Sequence, residues 1–371
     1  MRIGLLASNL TTITDQTERG IETFVHLFTK NLAEKSESQD LKITAFASGN
    51  SQLPVPIVSL FQTASADDPD IGRTYYPMFE LPLLSKAFQM QDQFDLYHAH
   101  LGNSENVLAF APFVNKPILI TLHTVLDLDY EKKYLSLFKD LKNVFYISIS
   151  NNQRKPLPNL NYVKTIYHGI DTEKYKYSEN GGDTIFWMGR ATTEKGFDIA
   201  LPLINKVGKK SIIVPAFRPK FEDWAKSIIS QYPNLAITYK ATKEEIVNFY
   251  QRSRLYLFPI QWEEPFGLVM AESMACGTPI VAFARGSVPE IIKDGETGFI
   301  VNSSEQDIRG NWIIKKTGIA GLEEAINRIY SMSDQDYKKM RTACRNHVEK
   351  NFSVDRMVDE YISIYKQLTG L

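Results

Sequence analysis

The chain of 371 residues predicts an α/β protein made of two doubly wound parallel sheets. Strand-like runs alternate with amphipathic helical runs from end to end. The strand-like runs are apolar, rich in β-branched and aromatic residues, and lack clean polar alternation, as in parallel strands covered on both faces. The length suits two domains, each large enough to bury its own core.

In the first half, strands are predicted at 2–8, 42–48, 95–100, 117–123 and 144–150, with an amphipathic helix at 20–35. A second helix is predicted over 129–144, with lysines on one side and Tyr134, Leu137, Phe138 and Leu141 on the other. It reads as a cover for the first sheet or as a contact with anionic lipid. In the second half, strands are predicted at 184–189, 211–217, 235–240, 254–259 and 279–284. The aperiodic stretch 167–183, rich in Gly, Asn and charge, marks the break between domains. A last helix at 354–368 carries Met357, Val358, Tyr361, Ile362 and Tyr365 on one side.

Composition narrows the class. Hydrophobic residues make up 43% and charged residues 23%, an ordinary globular balance. With 42 basic and 43 acidic residues, no net field draws the molecule to nucleic acid. Two cysteines, Cys276 and Cys344, have no metal-ligand spacing and suit a reducing compartment, so a cytoplasmic location is expected. The opening apolar run turns polar too early for a signal peptide, and no stretch has about 18 uninterrupted apolar residues.

Ligands of open α/β sheets bind beyond the carboxyl ends of the strands, so chemistry is sought there. Glu264 and Glu272 stand two helical turns apart, in and before an apolar stretch. Because Pro265 suits a first helical position, Glu264 is expected to cap a helix over 265–276. The amides of Phe266, Gly267 and Leu268 would then form an anion site, with Glu264 left for sugar hydroxyls. Glu272 would accept from another diol such as ribose. A capping carboxylate and an ordinary surface glutamate account for the spacing equally well. Arg190 and Lys195 follow a strand and precede a helix, a place where two cations suit a diphosphate or simply meet solvent. Gly20 opens a helix after a polar loop, as a phosphate approach or a plain turn. His98, His100 and His123 fall at strand ends, His123 just before a polar loop. The string Asp127-Leu128-Asp129 is too short to read as a metal signature.

Taken together, these residues resemble the retaining glycosyltransferases of family four, the group 1 glycosyltransferases. The carriers are the Glu-x7-Glu motif at 264–272 with the run 275–301 behind it, and the Gly-Arg…Lys-Gly loop at 188–196. Weaker matches at 19–25, 95–100, 119–125 and 168–171 follow in the family's order. The resemblance implies the GT-B fold: two Rossmann-like domains facing across a cleft. Residues 1–168, rejoined by the helix 354–371, would bind the acceptor, and 169–353 the nucleotide-sugar donor.

By that resemblance Arg190 and Lys195 neutralise the departing diphosphate. Glu264 and the amides after Pro265 hold the transferred sugar, and Glu272 holds the ribose. His123 lies near the sugar, Gly20 lets a loop close over the phosphates, and His98 and His100 fall on the acceptor side. The implied reaction moves a hexose from a UDP- or GDP-linked donor to a saccharide, lipid-linked or small-molecule hydroxyl, with retention and without metal or cofactor. Polysaccharide or glycoconjugate synthesis, with peripheral contact at the inner membrane face, is the implied setting. A nucleotide-sugar epimerase and a non-catalytic nucleotide-sugar-binding protein are the competing readings. The chain departs from the family pattern at Arg19 and Lys240, where glycines are common, and in its long connection at 302–318.

Overall fold

A computed structural model describes every residue except Glu18 and Asn103. The chain divides into two compact units, Met1–Gly169 with Val354–Leu371, and Ile170–Ser353. The division falls inside the aperiodic stretch, just after Gly169.

The first unit is a seven-stranded parallel sheet in the order β3-β2-β1-β4-β5-β6-β7. Its strands are β1 (Arg2–Leu6), β2 (Lys42–Phe46), β3 (Ile57–Val58), β4 (Leu96–Ala99), β5 (Ile118–Thr121), β6 (Val144–Ser148) and β7 (Tyr162–Thr165). The helices α1 (Gly20–Glu34), α2 (Gly72–Gln89), α3 (Glu105–Phe110) and α4 (Asp129–Leu137) connect them. β4 and β5 are buried along their whole length, which is why their sequences show no alternation. Gly4 of β1 lies against the Tyr97 ring, where a Cβ would stand 2.6 Å from it.

The second unit is a five-stranded parallel sheet in the order β12-β11-β10-β8-β9. Its strands are β8 (Thr184–Arg190), β9 (Ser211–Ala216), β10 (Ser253–Phe258), β11 (Ile280–Phe283) and β12 (Gly298–Val301). Its helices are α5 (Phe197–Val207), α6 (Glu222–Ile229), α7 (Lys243–Gln251), α8 (Leu268–Ala275), α9 (Val288–Ile291), α10 (Gly318–Tyr330) and α11 (Asp334–Asn351). The final helix, α12 (Val354–Thr369), packs in the first unit, burying Met357, Val358, Tyr361 and Tyr365 among residues of β1 and α1. Tyr361 bonds to Thr121 at 3.0 Å, and Lys35 pairs with Asp359 at 2.5 Å.

Two predicted elements are corrected. The strand expected at 235–240 does not form. Its segment makes only an isolated bridge, Ile213 to Ile237, and leaves Tyr239 exposed at the sheet edge. The fifth strand is instead β12, whose four residues are all buried. The helix expected over 129–144 stops at Leu137, because the Phe138 and Leu141 amides turn back onto Leu135 and Phe138 so that the chain can enter β6. Tyr134 and Phe138 do face the core, but Leu137 is exposed.

In each unit the strand order reverses once, at β1/β4 in the first and β8/β10 in the second. Such reversals open a crevice beyond the carboxyl ends of the strands. The loops that leave β8 and β10 therefore meet at one place, although about 70 residues separate them.

Two buried ionisable groups lead to predictions. Arg341 is fully buried, and its guanidinium donates to the carbonyls of Ser178, Gln251, Ser253 and Cys276 and to the hydroxyls of Thr278 and Tyr337. Removing it leaves those acceptors buried and unpaired. Arg341→Met should therefore cost about 3–5 kcal/mol in urea unfolding, and a loss below about 1 kcal/mol would contradict this hub role.

Glu80 is 4% exposed, with one carboxylate oxygen held by Asn106 at 2.7 Å and the other without a hydrogen-bond partner among the described residues. Burial pushes its carboxyl up from 4.5 to about 7. A raised carboxyl pKa leaves the fold unpenalised below the unfolded value, costs stability as pH rises from the unfolded value to the folded one, and costs no more above it. Glu80→Gln should thus gain about 2 kcal/mol relative to the parent on going from about pH 5 to about pH 8. An advantage that does not change with pH would refute the assignment.

Candidate active site

The site in the second unit is built from the ends of β8 and β10. β8 ends on Arg190, and a short turn then carries Lys195 to Gly196. Gly196 has φ +67° and lies against the Pro259 carbonyl, so a side chain there would meet both a strained backbone and an overlap. That close approach brings the Lys195 turn against the segment leaving β10. Gln261 ties the two together, its amide bonded to the Glu194 carbonyl at 2.9 Å and its side chain to Thr193 and Asp198.

Lys195 Nζ donates to Glu264 Oε2 in a close ion pair whose side chains are 17% and 11% exposed. Trp262 Nε1 donates to the same oxygen at 3.0 Å. The Trp262 ring also lies 4.9 Å from Lys195 Nζ and 5.6 Å from the Arg190 guanidinium, within cation–π range. Arg190 pairs more loosely with Glu194, at 3.6 Å. The arrangement is thus two cations, each paired with a carboxylate, and one indole at the strand-order reversal.

Glu264 is not a helix cap. α8 begins at Leu268, and its N-cap is Gly267 at φ +78°, with no side-chain cap bond. The reading of Pro265 as a first helical residue fails because the Glu264 carboxylate is drawn to Lys195 and Trp262 instead of back to the helix. Residues Pro265–Gly267 form the turn between. Phe266 is buried and lies edge-on to Phe352 at 5.8 Å, while Gly267 and Leu268 stand at the start of α8.

Glu272 lies inside α8 and is no ordinary surface glutamate. Its two oxygens accept from the hydroxyls of Tyr175, at 2.8 Å, and Tyr250, at 3.3 Å. Desolvation raises its pKa against the opposing pull of those bonds. Neither tyrosine is singled out by sequence: Tyr175 sits in the aperiodic stretch and Tyr250 ends a helix. Trp262 adjoins the Glu-x7-Glu motif, and that adjacency was the available signal for it.

In the first unit, Gly20 is the exposed first residue of α1, with open space where a Cβ would stand. Arg19, before it, turns to the buried Glu22 at 3.2 Å. The histidines separate into two kinds. His98 is fully buried, with Nδ1 bonded to the Tyr365 hydroxyl at 2.6 Å and Nε2 to Thr121 at 2.8 Å. Both nitrogens are thereby used within the core, which corrects its acceptor-side placement. His100 is also fully buried and shares a 3.0 Å bond with His123.

His123 keeps partial exposure, stacks on His168 at 5.4 Å, and touches Phe24 at 4.9 Å. Burial lowers its pKa to about 3, so at neutral pH it is an uncharged imidazole. Of the three, His123 is the one that keeps exposure to solvent. Among the described residues no cluster of three or more His, Cys, Asp or Glu could hold a metal ion.

Residues 170–347 match the family model of the glycosyl transferases group 1. N-acetyl-alpha-D-glucosaminyl L-malate synthase of Bacillus anthracis is 23% identical over 78% of this chain and 80% of its own length. Spore coat protein SA of Bacillus subtilis is 23% identical over 55% of this chain, and an uncharacterised 41.2 kDa protein of the Klebsiella pneumoniae cps region is 26% identical over 56%. Those two matches span 59% and 55% of the relatives' own lengths.

Among solved structures, sucrose-phosphate synthase from Thermosynechococcus elongatus superposes with a TM-score of 0.76 at 17% identity, covering 100% of this chain and 99% of that one. Anabaena HepE in complex with UDP and glucose gives 0.72 at 17% identity, covering 99% and 100%. These likenesses carry the GT-B fold, two parallel-sheet α/β domains. Residues 170–347, which hold the Lys195–Glu264 site, are the part of the chain that carries the likeness to the glycosyl transferases group 1.

Proposed function

We propose that the chain is a retaining hexosyltransferase that uses a UDP- or GDP-linked sugar. The observation that carries this reading is the convergence of Arg190, Lys195, Trp262 and Glu264 where β8 and β10 end. Support comes from solved structures of like fold whose complexes hold UDP with glucose or UDP-2-fluoro glucose.

Glycosyl transfer builds negative charge on a departing diphosphate and positive charge at the anomeric carbon. Fixed charges aimed at both reduce the barrier most. An ammonium has three N–H donors, and one of Lys195's goes to Glu264, leaving two for phosphate oxygens. Arg190 adds a planar donor set beside it. Glu264, oriented by Lys195 and Trp262, lies where it can accept from sugar hydroxyls.

Glu272 has about four acceptor positions, of which two are taken by tyrosines, so the others can serve a ribose diol. Gly267 and Leu268, at the start of α8, would present amides to the sugar or phosphate, and Phe266 would line the turn. The C1–O bond to phosphate breaks as the bond from C1 to the acceptor oxygen forms on the same face. The acceptor's hydroxyl proton passes to the departing phosphate oxygen. Neither glutamate attacks carbon, and the cationic charge comes from Arg190 and Lys195, so the reading assigns no metal and no cofactor.

In this reading the second unit binds donor and the first binds a saccharide, lipid-linked or small-molecule acceptor, with His123 and Gly20 among the first unit's ligand-contacting residues. His100 is buried and acts through His123. No helix among the described residues is long and apolar enough to cross a membrane. Peripheral lipid contact is assigned to α4, which leaves Tyr130 and Leu137 exposed near Lys132 and Lys133.

Incubation with a panel of radiolabelled nucleotide sugars, with and without acceptor mixtures, tests the reading. Acceptor-dependent label transfer with the anomeric configuration kept is expected; binding without turnover would overturn it. Lys195→Ala should lower turnover about 100-fold. Glu272→Gln should instead weaken donor binding with a smaller effect on the rate at saturation, and unaltered donor affinity would remove Glu272 from the ribose.

A further inference from the structure

The long connection after β12 has a defined structure with a consequence for the site. Asn302 organises it, donating to the Gly310 carbonyl at 3.0 Å and accepting from the Arg309 amide at 2.9 Å and the Trp312 indole at 3.1 Å. Asp294 anchors its far side through the Ile313 amide at 2.6 Å. So folded, the segment directs Arg309 at Glu263, the residue immediately before Glu264, and Asp307 at Arg285.

Arg309 Nη1 reaches both Glu263 oxygens, at 2.7 and 2.8 Å. Arg285 Nη1 adds a contact at 3.3 Å, and the Gly286 amide donates at 2.8 Å. Asp307 closes the ring, accepting from Arg285 at 2.8 Å, Arg309 at 2.7 Å and Ser303 at 2.8 Å. Two cations and two carboxylates alternate, so no charge is left over. The Glu264 backbone is held as well: Ser287 donates to its carbonyl at 2.9 Å, and Gly286 at φ +56° lies so close that a Cβ would overlap it.

We infer that Glu263 and Arg309 are positioning residues, a brace supplied by segment 302–318 that holds Glu264 where its carboxylate meets Lys195 and Trp262. The inference rests on the reading of Glu264 as the sugar-contacting carboxylate. The network's side chains are about a quarter to a third exposed, from 26% to 34%, so its worth to global stability is small. Its worth to placement is larger, because a shift of about 1 Å in a reacting group costs on the order of 100-fold in rate.

The test uses Arg309→Gln, Glu263→Gln, their double variant, Arg309→Lys and Glu264→Gln, each in the full chain. Hydrogen exchange of the Trp262 indole N–H, followed by nitrogen-15 NMR, reports the Glu264 contact without any substrate. Arg309→Gln should speed that exchange about tenfold or more while leaving the Trp187 and Trp224 indoles unchanged and the melting temperature within a few degrees. The double variant should match the single ones, and Arg309→Lys should recover part of the protection.

Release of UDP from UDP-glucose and of GDP from GDP-mannose, measured in parallel, should fall about tenfold or more in Arg309→Gln, with UDP and GDP affinities unchanged. Exchange at Trp262 that is unmoved, or that rises only in step with global unfolding, overturns the inference. A Glu264→Gln protein with parental turnover overturns the catalytic reading of Glu264 instead.

Discussion

The second unit is organised around one ion pair, Lys195 with Glu264, placed where water is largely excluded. A lysine or a carboxylate alone in such a place costs several kcal/mol, so each requires the other or a ligand of like charge to its partner. The pair exists because two chain segments approach unusually closely. Gly196 permits contact with the Pro259 carbonyl, and Gly286 permits contact with the Glu264 backbone. Trp262 completes the arrangement by donating to the carboxylate and lying beside both cations.

Topology explains why these segments meet. β8 and β10 are neighbours in the sheet although β9 lies between them in the chain, and the loops at their carboxyl ends share the resulting crevice. α8 starts from the same place and carries Glu272 into a pocket formed by Tyr175 and Tyr250. The first unit repeats the reversal at β1/β4. There the strand ends present His100 and His123 beside Phe24 and His168, all four rings in contact.

The two-sheet architecture was legible in the sequence because buried parallel strands are written as apolar runs. Local patterns failed where a neighbour decided the outcome. Segment 235–240 has strand composition but sits at an uncovered edge. Residues 298–301, Gly-Phe-Ile-Val, make an apolar run too short to stand out, yet form a fully buried strand. Helix 129–144 ended early because β6 had to begin.

At the site, Arg190, Lys195, Glu264 and Glu272 were legible as a motif, but their partners were not. The pairing of Lys195 with Glu264 spans 69 positions, and no periodicity encodes it. Pro265 suggested a helix start that Glu264's attraction to Lys195 displaces to Gly267. His98 looked like a strand-end ligand and proved to be a core residue satisfied by Tyr365 and Thr121. Segment 302–318 carried no local signal of its role, because its meaning lies in Glu263.

On the proposed function, a nucleoside diphosphate docks at the Lys195–Glu264 site with Lys195 on its phosphates. Calorimetric titration of UDP, GDP and ADP into the parent protein and Lys195→Ala tests it most directly. Heat is expected with UDP or GDP in the parent, and an affinity at least about tenfold lower in the variant. Absence of heat with all three nucleotides, or equal affinity in the two proteins, would contradict it.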